Sequence, residues 1–255
     1  MTSAGFMKKI STICIFCIIF FSCDNSLTPA KPIINKGIAD KRDVGQSAHD
    51  LLSAVKYTRL NIEIQFAPGM RPHDHSVNNL VSFFKNYVYK PAGVTVTLKQ
   101  VGSIAKAKIT TQDADSFALK NRILYTEGNL LSLYIYFADA ASARFWIGGI
   151  AYRNTAMVVF EKTILENTKG AGEADRIKME TGVVEHEAGH LLGLVNNGTA
   201  MQMPHEDASH KIHCSNMNCL MYYAIEAGMV RNPDNSLPVL DANCVRDLKA
   251  YKVVE

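Results

Sequence analysis

The sequence predicts a single α/β domain in which a twisted, mostly parallel sheet packs over one long helix. Residues 59–66 and 94–101 alternate apolar and polar side chains, as half-buried strands do. Between them, residues 76–93 carry apolar side chains at helical spacing. A strand, a helix and a strand in this order are typical of parallel strands joined by a crossover helix. The third observation is an amphipathic segment at residues 173–195, which predicts the long helix.

The ends of these helices and the remaining strands can also be predicted. The first helix ends at Pro91 and the long helix ends near Gly193, because proline and glycine stop helices. Residues 130–138 and 150–162 predict two further strands. We expect a more irregular structure in the C-terminal part of the domain.

Composition places the chain among globular proteins. Of its 255 residues, 47% are hydrophobic and 20% are charged, which is enough for one sizeable core. The formal net charge is +3, and it falls to +1 if Lys8 and Lys9 leave with residues 1–22. We expect no nucleic-acid partner, which usually needs a concentrated basic patch, and we expect a monomer.

The N-terminal segment has the features of an export signal. Lys8 and Lys9 precede the apolar run "ISTICIFCIIFFSC", which is too short to span a membrane as a stable helix. Residues 1–22 are therefore predicted to be a signal peptide. Ser22 before Cys23 resembles a bacterial lipoprotein processing site, so we expect an exported protein anchored to the cell envelope by a lipid on Cys23. Ordinary secretion with a free Cys23 thiol, or an uncleaved anchor, remains an alternative.

A polar segment separates this signal from the predicted domain. Residues 23–50 are punctuated by proline and glycine, as flexible linkers are, and we predict a lipid-anchored tether without a core. Residues 51–255 are predicted to form the folded domain.

The strongest motif is "HEAGH", which lies inside the predicted long helix. His186 and His190 are four residues apart, so both imidazoles face one side of the helix and can bind one metal ion. Glu187 lies between them in the chain and can act as general base toward a metal-activated water. Zinc with three protein ligands keeps a fourth position for that water. The competing interpretation is a pair of buried core histidines, in which every polar atom would need a partner.

Two further residues extend the motif. Gly193 stands three residues after His190, and Met221 lies in the later segment "CLMYY". This combination resembles the metzincin clan of zinc peptidases. The resemblance implies a metzincin-like fold with Met221 beneath the zinc ligands. It also implies a third ligand three residues after the glycine, but Asn196 stands there, and an amide is a weak ligand for zinc.

A third histidine is suggested by the segment "HCSNMNCLM", which has the form H-C-x4-C-x-M. It resembles the archaemetzincins, in which the third zinc histidine directly precedes a cysteine. The resemblance implies that His213 is the displaced ligand. His205, His210 and Asn196 remain alternatives for the third ligand. His210 and Asp207 could instead hydrogen-bond to the outer nitrogen of a ligand histidine and so orient it. The residues "HDH" at 73–75 are predicted to be only a polar loop or a helix start.

The cysteines and one tyrosine are harder to assign. Cys214 and Cys219 are predicted to form a local disulfide, as suits an exported protein, although Cys244 could pair with either. The archaemetzincin resemblance implies the alternative of a second, cysteine-bound zinc, whose later C-x-x-C is here reduced to Cys244. Tyr223, two residues after Met221, matches a tyrosine that some metzincins place near the metal to stabilise the oxyanion. A core aromatic is the alternative for Tyr223.

Together these features predict a zinc metallopeptidase domain over residues 51–255. We expect Glu187 to activate a zinc-bound water against a peptide bond, and the segment 149–159 to be the edge strand that pairs with an extended peptide or protein substrate. The rival is a non-catalytic zinc-containing surface lipoprotein that binds peptides, glycans or host proteins. The presence of Glu187 argues against it, since binding alone needs no base. An amidase acting on cell-wall peptides is a third possibility.

Overall fold

The computed structural model describes residues 1–2, 37–144, 146–228 and 236–252. The chain divides into two compact units, residues 1–34 and 35–255. Of the first unit only Met1 and Thr2 are described, so residues 3–22 of the predicted signal peptide and Cys23 lie outside the described residues. Within the described part, no helix is long and apolar enough to cross a membrane.

A five-stranded sheet forms the centre of the second unit. In chain order the described strands are β1 (Arg59–Phe66), β2 (Val94–Gln100), β3 (Lys108–Ile109), β4 (Leu130–Phe137), β5 (Ala141–Ser142), β6 (Gly149–Arg153) and β7 (Ala156–Val159). The main sheet has the spatial order β2-β1-β4-β7-β6, while β3 and β5 form a small parallel pair. Every pairing in the main sheet is parallel except that of β6 with β7. The predicted mostly parallel α/β sheet is confirmed.

Helices cover both faces of this sheet. They are α1 (Ala48–Leu52), α2 (Asp74–Tyr87), α3 (Thr111–Asn121), α4 (Glu161–Asn167), α5 (Glu173–Leu191) and α6 (Ala242–Tyr251). One face carries the larger apolar core, to which α2 and α5 contribute, and the other carries a smaller core with α3. Strands buried on both faces are nearly continuously apolar, as β4 is. The "HDH" segment proves to be a helix start, since the His73 ring accepts a hydrogen bond from the His75 N–H at the first turn of α2.

Several elements differ from the prediction, and α2 ends at Tyr87, before Pro91. The segment 150–162, predicted as one strand, contains most of β6, all of β7 and the first residues of α4. The strands separate at Asn154, whose buried side-chain amide donates to Ala39 O and Ser47 Oγ, and these distant partners hold a turn that local pattern does not reveal. Helix α3 was not predicted. Its first turn is held by a reciprocal capping box between Thr110 and Asp113.

The folded domain begins earlier than residue 51. Asp40 is buried and accepts hydrogen bonds from Thr126 N–H and Thr126 Oγ–H. Residues 37–50 of the predicted tether therefore belong to the domain. Polar side chains with buried partners hold this segment, and for that reason its polar composition wrongly suggested a flexible linker.

Two buried carboxyl groups make stability depend on pH. Glu161 of α4 and Glu180 of α5 are both fully buried and share the Arg176 guanidinium, at 2.8 Å and 3.6 Å. Burial, with the neighbouring Glu180, raises the pKa of Glu161 to about 9 from an ordinary 4.5. Burial also raises the pKa of Glu180. Because the folded state holds these protons more tightly, their contribution is complete below about pH 4.5 and is lost toward about pH 9.

We therefore expect the free energy of unfolding to fall as the pH rises from about 6 to about 9, by about 1–3 kcal/mol. Urea unfolding at several pH values measures this slope. Glu161→Gln should flatten it, whereas Glu166→Gln, on the exposed side of α4, should not. An equal slope in both variants would assign the effect to other groups.

Candidate metal centre

Helix α5 brings His186 and His190 together on one buried face. Their Nε2 atoms are 3.1 Å apart, and the two residues are 0% and 3% exposed. This follows from their spacing of four residues on a regular helix. The helix ends soon after, because Gly193 adopts the left-handed conformation, with φ of +73°. A side chain at Gly193 would lie 2.7 Å from Ala48 Cβ and from Thr199 N, so only glycine fits this turn.

Beyond this turn the chain leads away from the two histidines. Asn196, the position at which the usual spacing would place a third ligand, is exposed. It does not belong to the group of possible ligands that the described residues form around His186 and His190.

His213 supplies the third imidazole of the cluster. Its ring centroid lies 5.3 Å from that of His186 and 5.0 Å from that of His190. The turn that carries His213 is held by a hydrogen bond from Asp207 N–H to His213 O and by one from Cys214 N–H to Met221 O. The structure thus brings together the three histidines predicted as ligands, across an insertion that sequence spacing could not measure.

The other histidines of this loop lie elsewhere. His210 is exposed and stacks on the Tyr223 ring, with centroids 3.5 Å apart and an interplanar angle of 4°. Its Nδ1 lies 3.3 Å from Asp207 Oδ2. This pair therefore stabilises the loop and does not orient one of the three candidate ligand histidines. No contact between Tyr223 and the three clustered histidines occurs among the described contacts, and the oxyanion role of Tyr223 stays a prediction.

The outer ring nitrogens of His186 and His213 orient these two histidines for metal binding, whereas the buried Nδ1 of His190 has no partner among the described residues. His186 Nδ1–H donates to Leu220 O at 2.7 Å, and His213 Nδ1–H donates to Lys211 O at 3.0 Å. In each neutral ring this leaves the lone pair on Nε2, the nitrogen that faces the cluster. Burial lowers the pKa of His190 to about 4, so this ring is neutral near pH 7.

These donors fit a zinc ion. Two nitrogens bound to tetrahedral zinc at about 2.0–2.1 Å are about 3.3 Å apart, close to the observed 3.1 Å between His186 and His190 Nε2. The Nε2 lone pairs of neutral His186 and His213 face the same point beside His190 Nε2, where one cation can bind all three nitrogens. The arrangement therefore suits a metal better than a pair of ordinary core histidines.

Glu187 is held between α5 and the edge strand β6. Its Oε2 accepts a hydrogen bond from Ala151 N–H at 2.7 Å, while its buried Oε1 has no partner among the described residues. Burial, together with the charge of Glu226, raises the pKa of Glu187. The strand comes this close because Gly149 has no side chain, since a Cβ there would lie 2.9 Å from Glu187 Cγ.

Met221 lies directly against the helix beneath the motif. A Cβ on Gly189 would be 2.3 Å from Met221 Sδ, and Met221 is fully buried. The turn that carries Met221 therefore packs closely against α5 because Gly189, the residue before His190, has no side chain.

Glu226 is the residue of this site that sequence reasoning missed. It follows the 3₁₀ turn Tyr223–Ile225, and its Oε1 lies 2.9 Å from His213 Nε2. The same oxygen lies 3.5 Å from His190 Nε2 and 3.7 Å from His186 Nε2. No motif spacing points to an acidic residue five positions after Met221, so only the folded chain reveals it.

A second buried cluster of possible metal ligands lies next to the turn that carries Met221. Its group of possible ligands is His205, Cys214, Asp241 and Cys244, and the thiol of Cys219 lies beside this group. His205 Nδ1 lies 3.4 Å from Cys214 Sγ and 4.0 Å from Cys244 Sγ. The Sγ atoms of Cys219 and Cys244 are 3.6 Å apart.

The predicted disulfide between Cys214 and Cys219 is wrong, because all three cysteines are free. Even the 3.6 Å between Cys219 and Cys244 far exceeds an S–S bond of about 2.05 Å. The tertiary structure explains why these two cysteines do not form a disulfide. Cys244, from the first turn of α6, and His205 reach the same point as the two nearer cysteines, so no pair of thiols is isolated.

The groups around this cluster favour a metal-binding thiolate set. Cys219 Sγ accepts hydrogen bonds from Met221 N–H and Asp241 N–H, both at 3.4 Å. Hydrogen bonding with the thiols of Cys214 and Cys244 lowers the pKa of Cys219. The outer nitrogen of His205 lies 2.7 Å from Asp247 Oδ2, as expected for a histidine whose other nitrogen is a ligand.

Comparison with known proteins supports the fold. No family model and no curated protein matches the sequence. The structure is similar to that of archaemetzincin from Methanopyrus kandleri, with a TM-score of 0.50 and 15% identity, over 76% of this chain and 96% of that one. A metalloproteinase-II from Bacteroides fragilis is 19% identical over 86% of this chain and 58% of that one, with a TM-score of 0.41 that is too low to carry an argument. The chain therefore has an archaemetzincin-like α/β fold.

Proposed function

We propose that this protein is a zinc-dependent endopeptidase, with zinc held by His186, His190 and His213 and with Glu187 as general base. The observation that carries the proposal is the convergence of three imidazoles in a buried centre beside a glutamate with one unpaired oxygen. The archaemetzincin-like fold agrees with this function but does not establish it.

The two carboxylate oxygens of Glu187 have different roles in the proposed reaction. A zinc ion held by the three histidines would act as a Lewis acid and would lower the pKa of water to about 7. Glu187 Oε2 is fixed by Ala151 N–H, so the carboxylate keeps its orientation through the reaction. Oε1 is then the atom that takes a proton from the attacking water and passes it to the leaving amine.

The edge of the sheet supports a peptide substrate. Strand β6 pairs with β7 on one side and has no partner strand on the other within the described chain. An extended peptide can add to such an edge through main-chain hydrogen bonds. Because Ala151 of β6 bonds to Glu187, a peptide lying along this strand would pass next to the base.

Zinc content tests the ligand assignment. His213→Ala should lower the zinc affinity of the histidine centre by more than about 100-fold, because losing only an outer partner of a ligand costs about 10- to 100-fold. Elemental analysis after identical dialysis measures the loss. His210→Ala, an exposed histidine of the same loop, is the matched control and should keep the native zinc content.

Circular dichroism must show that His213→Ala is folded. A folded variant that retains all of the native zinc would refute His213 as a ligand.

We also propose that His205, Cys214, Cys219 and Cys244 hold a second, structural zinc. Three thiolates and one imidazole form a closed donor set of the kind found in structural zinc sites. Asp241 Oδ2 also lies near Cys214, at 3.4 Å, but this oxygen already accepts a hydrogen bond from Asn216 Nδ2, while Oδ1 caps α6 by accepting from Asn243 N–H and Cys244 N–H. Cys219 is therefore the better fourth donor, and this centre would pin the loop that carries His213.

A further inference from the structure

We propose that Glu226 is the fourth ligand of the histidine centre, and that this carboxylate must leave before water and substrate can reach the metal. The first half of this inference concerns metal binding alone. The second half rests on the proposed peptidase function.

The distances place Glu226 Oε1 as the fourth corner of the ligand set. It lies 2.9, 3.5 and 3.7 Å from the Nε2 atoms of His213, His190 and His186. The two helix histidines are themselves 3.1 Å apart at Nε2. Four ligands of a tetrahedral zinc are separated by about 3.3 Å, so all four measured separations lie near that value. Catalytic zinc sites keep one position open, whereas a site with four protein ligands is closed.

Glu226 differs from the histidines in its access to solvent. Its side chain is 28% exposed, against 0%, 4% and 10% for His186, His190 and His213. The carboxylate therefore approaches the buried centre from the open side, where water and substrate would also enter. It can rotate toward solvent without opening the core.

The backbone of Glu226 is tied to the proposed substrate edge. Gly148 N–H, immediately before β6, donates to Glu226 O at 2.5 Å. Gly148 also packs closely on α5, since a Cβ there would lie 2.8 Å from Val183 Cγ2. A peptide adding to β6 would arrive beside Glu226, and its scissile carbonyl would compete with the carboxylate for the same position on the metal.

The other acid of the site cannot fill this role. Glu187 has Oε2 engaged by Ala151 N–H, and it does not belong to the group of ligand atoms that includes Glu226. The structure thus separates the two carboxylates, one held against the strand as the base and one directed at the histidines.

Hydroxamate binding tests the inference without relying on activity. Acetohydroxamate, a small metal-binding anion, is titrated calorimetrically into the zinc-loaded full chain and into Glu226→Ala and Glu226→Gln. If the carboxylate must be displaced, removing it should tighten hydroxamate binding by about tenfold or more, because the ligand no longer competes with a closed state. Zinc release to a chelator from the histidine centre should be faster by a similar factor. Glu166→Ala on α4 is the control and should match the native protein in both measurements.

A merely structural role for Glu226 would give the opposite result, since a disturbed site binds hydroxamate more weakly. Unchanged or weakened hydroxamate binding in both folded Glu226 variants overturns the inference, and so does unchanged zinc release. The peptidase proposal fails separately. If hydroxamate binding tightens but neither native protein nor Glu226→Ala cleaves peptides, Glu226 stands as a ligand and the proposed function falls.

Discussion

Glu187→Gln is expected to abolish peptide hydrolysis while zinc stays in the histidine centre. The amide keeps the size of the side chain, but it cannot accept the proton of the attacking water. General bases contribute about 10²- to 10⁴-fold to rate, so the cleavage rate should fall by at least about 100-fold. Cleavage of a fluorogenic peptide library, with zinc content measured on the same samples, separates loss of the base from loss of the metal.

The chain offers a matched control on the same helix. Glu185 lies two residues before Glu187, but it lines a surface cavity with Asn86 and Tyr87 and does not belong to the group of possible metal ligands. Glu185→Gln should therefore leave hydrolysis unchanged. Cleavage by Glu187→Gln at the native rate would refute the proposed mechanism even if zinc is bound as expected.

Cys219→Ser is expected to remove the second zinc and to destabilise the whole domain. A ligand present at a thousand times its dissociation constant stabilises the folded state by about 4 kcal/mol, and we expect a loss of about this size. Elemental analysis and urea unfolding measure the two effects. Ser215→Ala, an exposed position in the same loop, should change neither the zinc content nor the unfolding midpoint.

Reductant and chelator distinguish this centre from a disulfide in the native protein. A zinc site should be insensitive to reductant and should lose stability with a strong chelator. The reverse pattern would mean that the cysteines are bonded in solution and that the second zinc centre does not exist.

Local sequence pattern predicted the elements whose cause is local. The alternation of β1 and the helical repeat of α5 reflect side chains that face one core, so their residues carry the signal themselves. His186 and His190 became neighbours for the same reason. By contrast, the turn at Asn154 depends on Ala39 and Ser47, which lie more than a hundred residues away in the chain.

The site residues that the sequence did not predict are likewise placed by contacts between segments that are distant in the chain. Glu226 lies beside the histidines, and its backbone is bonded to Gly148, which directly precedes the edge strand β6. His205, one of the alternatives for the third zinc ligand, lies instead beside Cys214 and Cys244. Both outcomes depend on how loops meet in space, which single-sequence spacing does not encode.

The adjacency of His213 and Cys214 means that consecutive residues would serve two different metal ions. Occupying the cysteine centre would fix the backbone at Cys214, so His213 would lose little further freedom when the other ion binds. Such coupling is reciprocal, because each ion must then raise the affinity for the other by the same factor. The two centres would load cooperatively, so partly metallated molecules would be rare and metal loading would depend steeply on the zinc concentration.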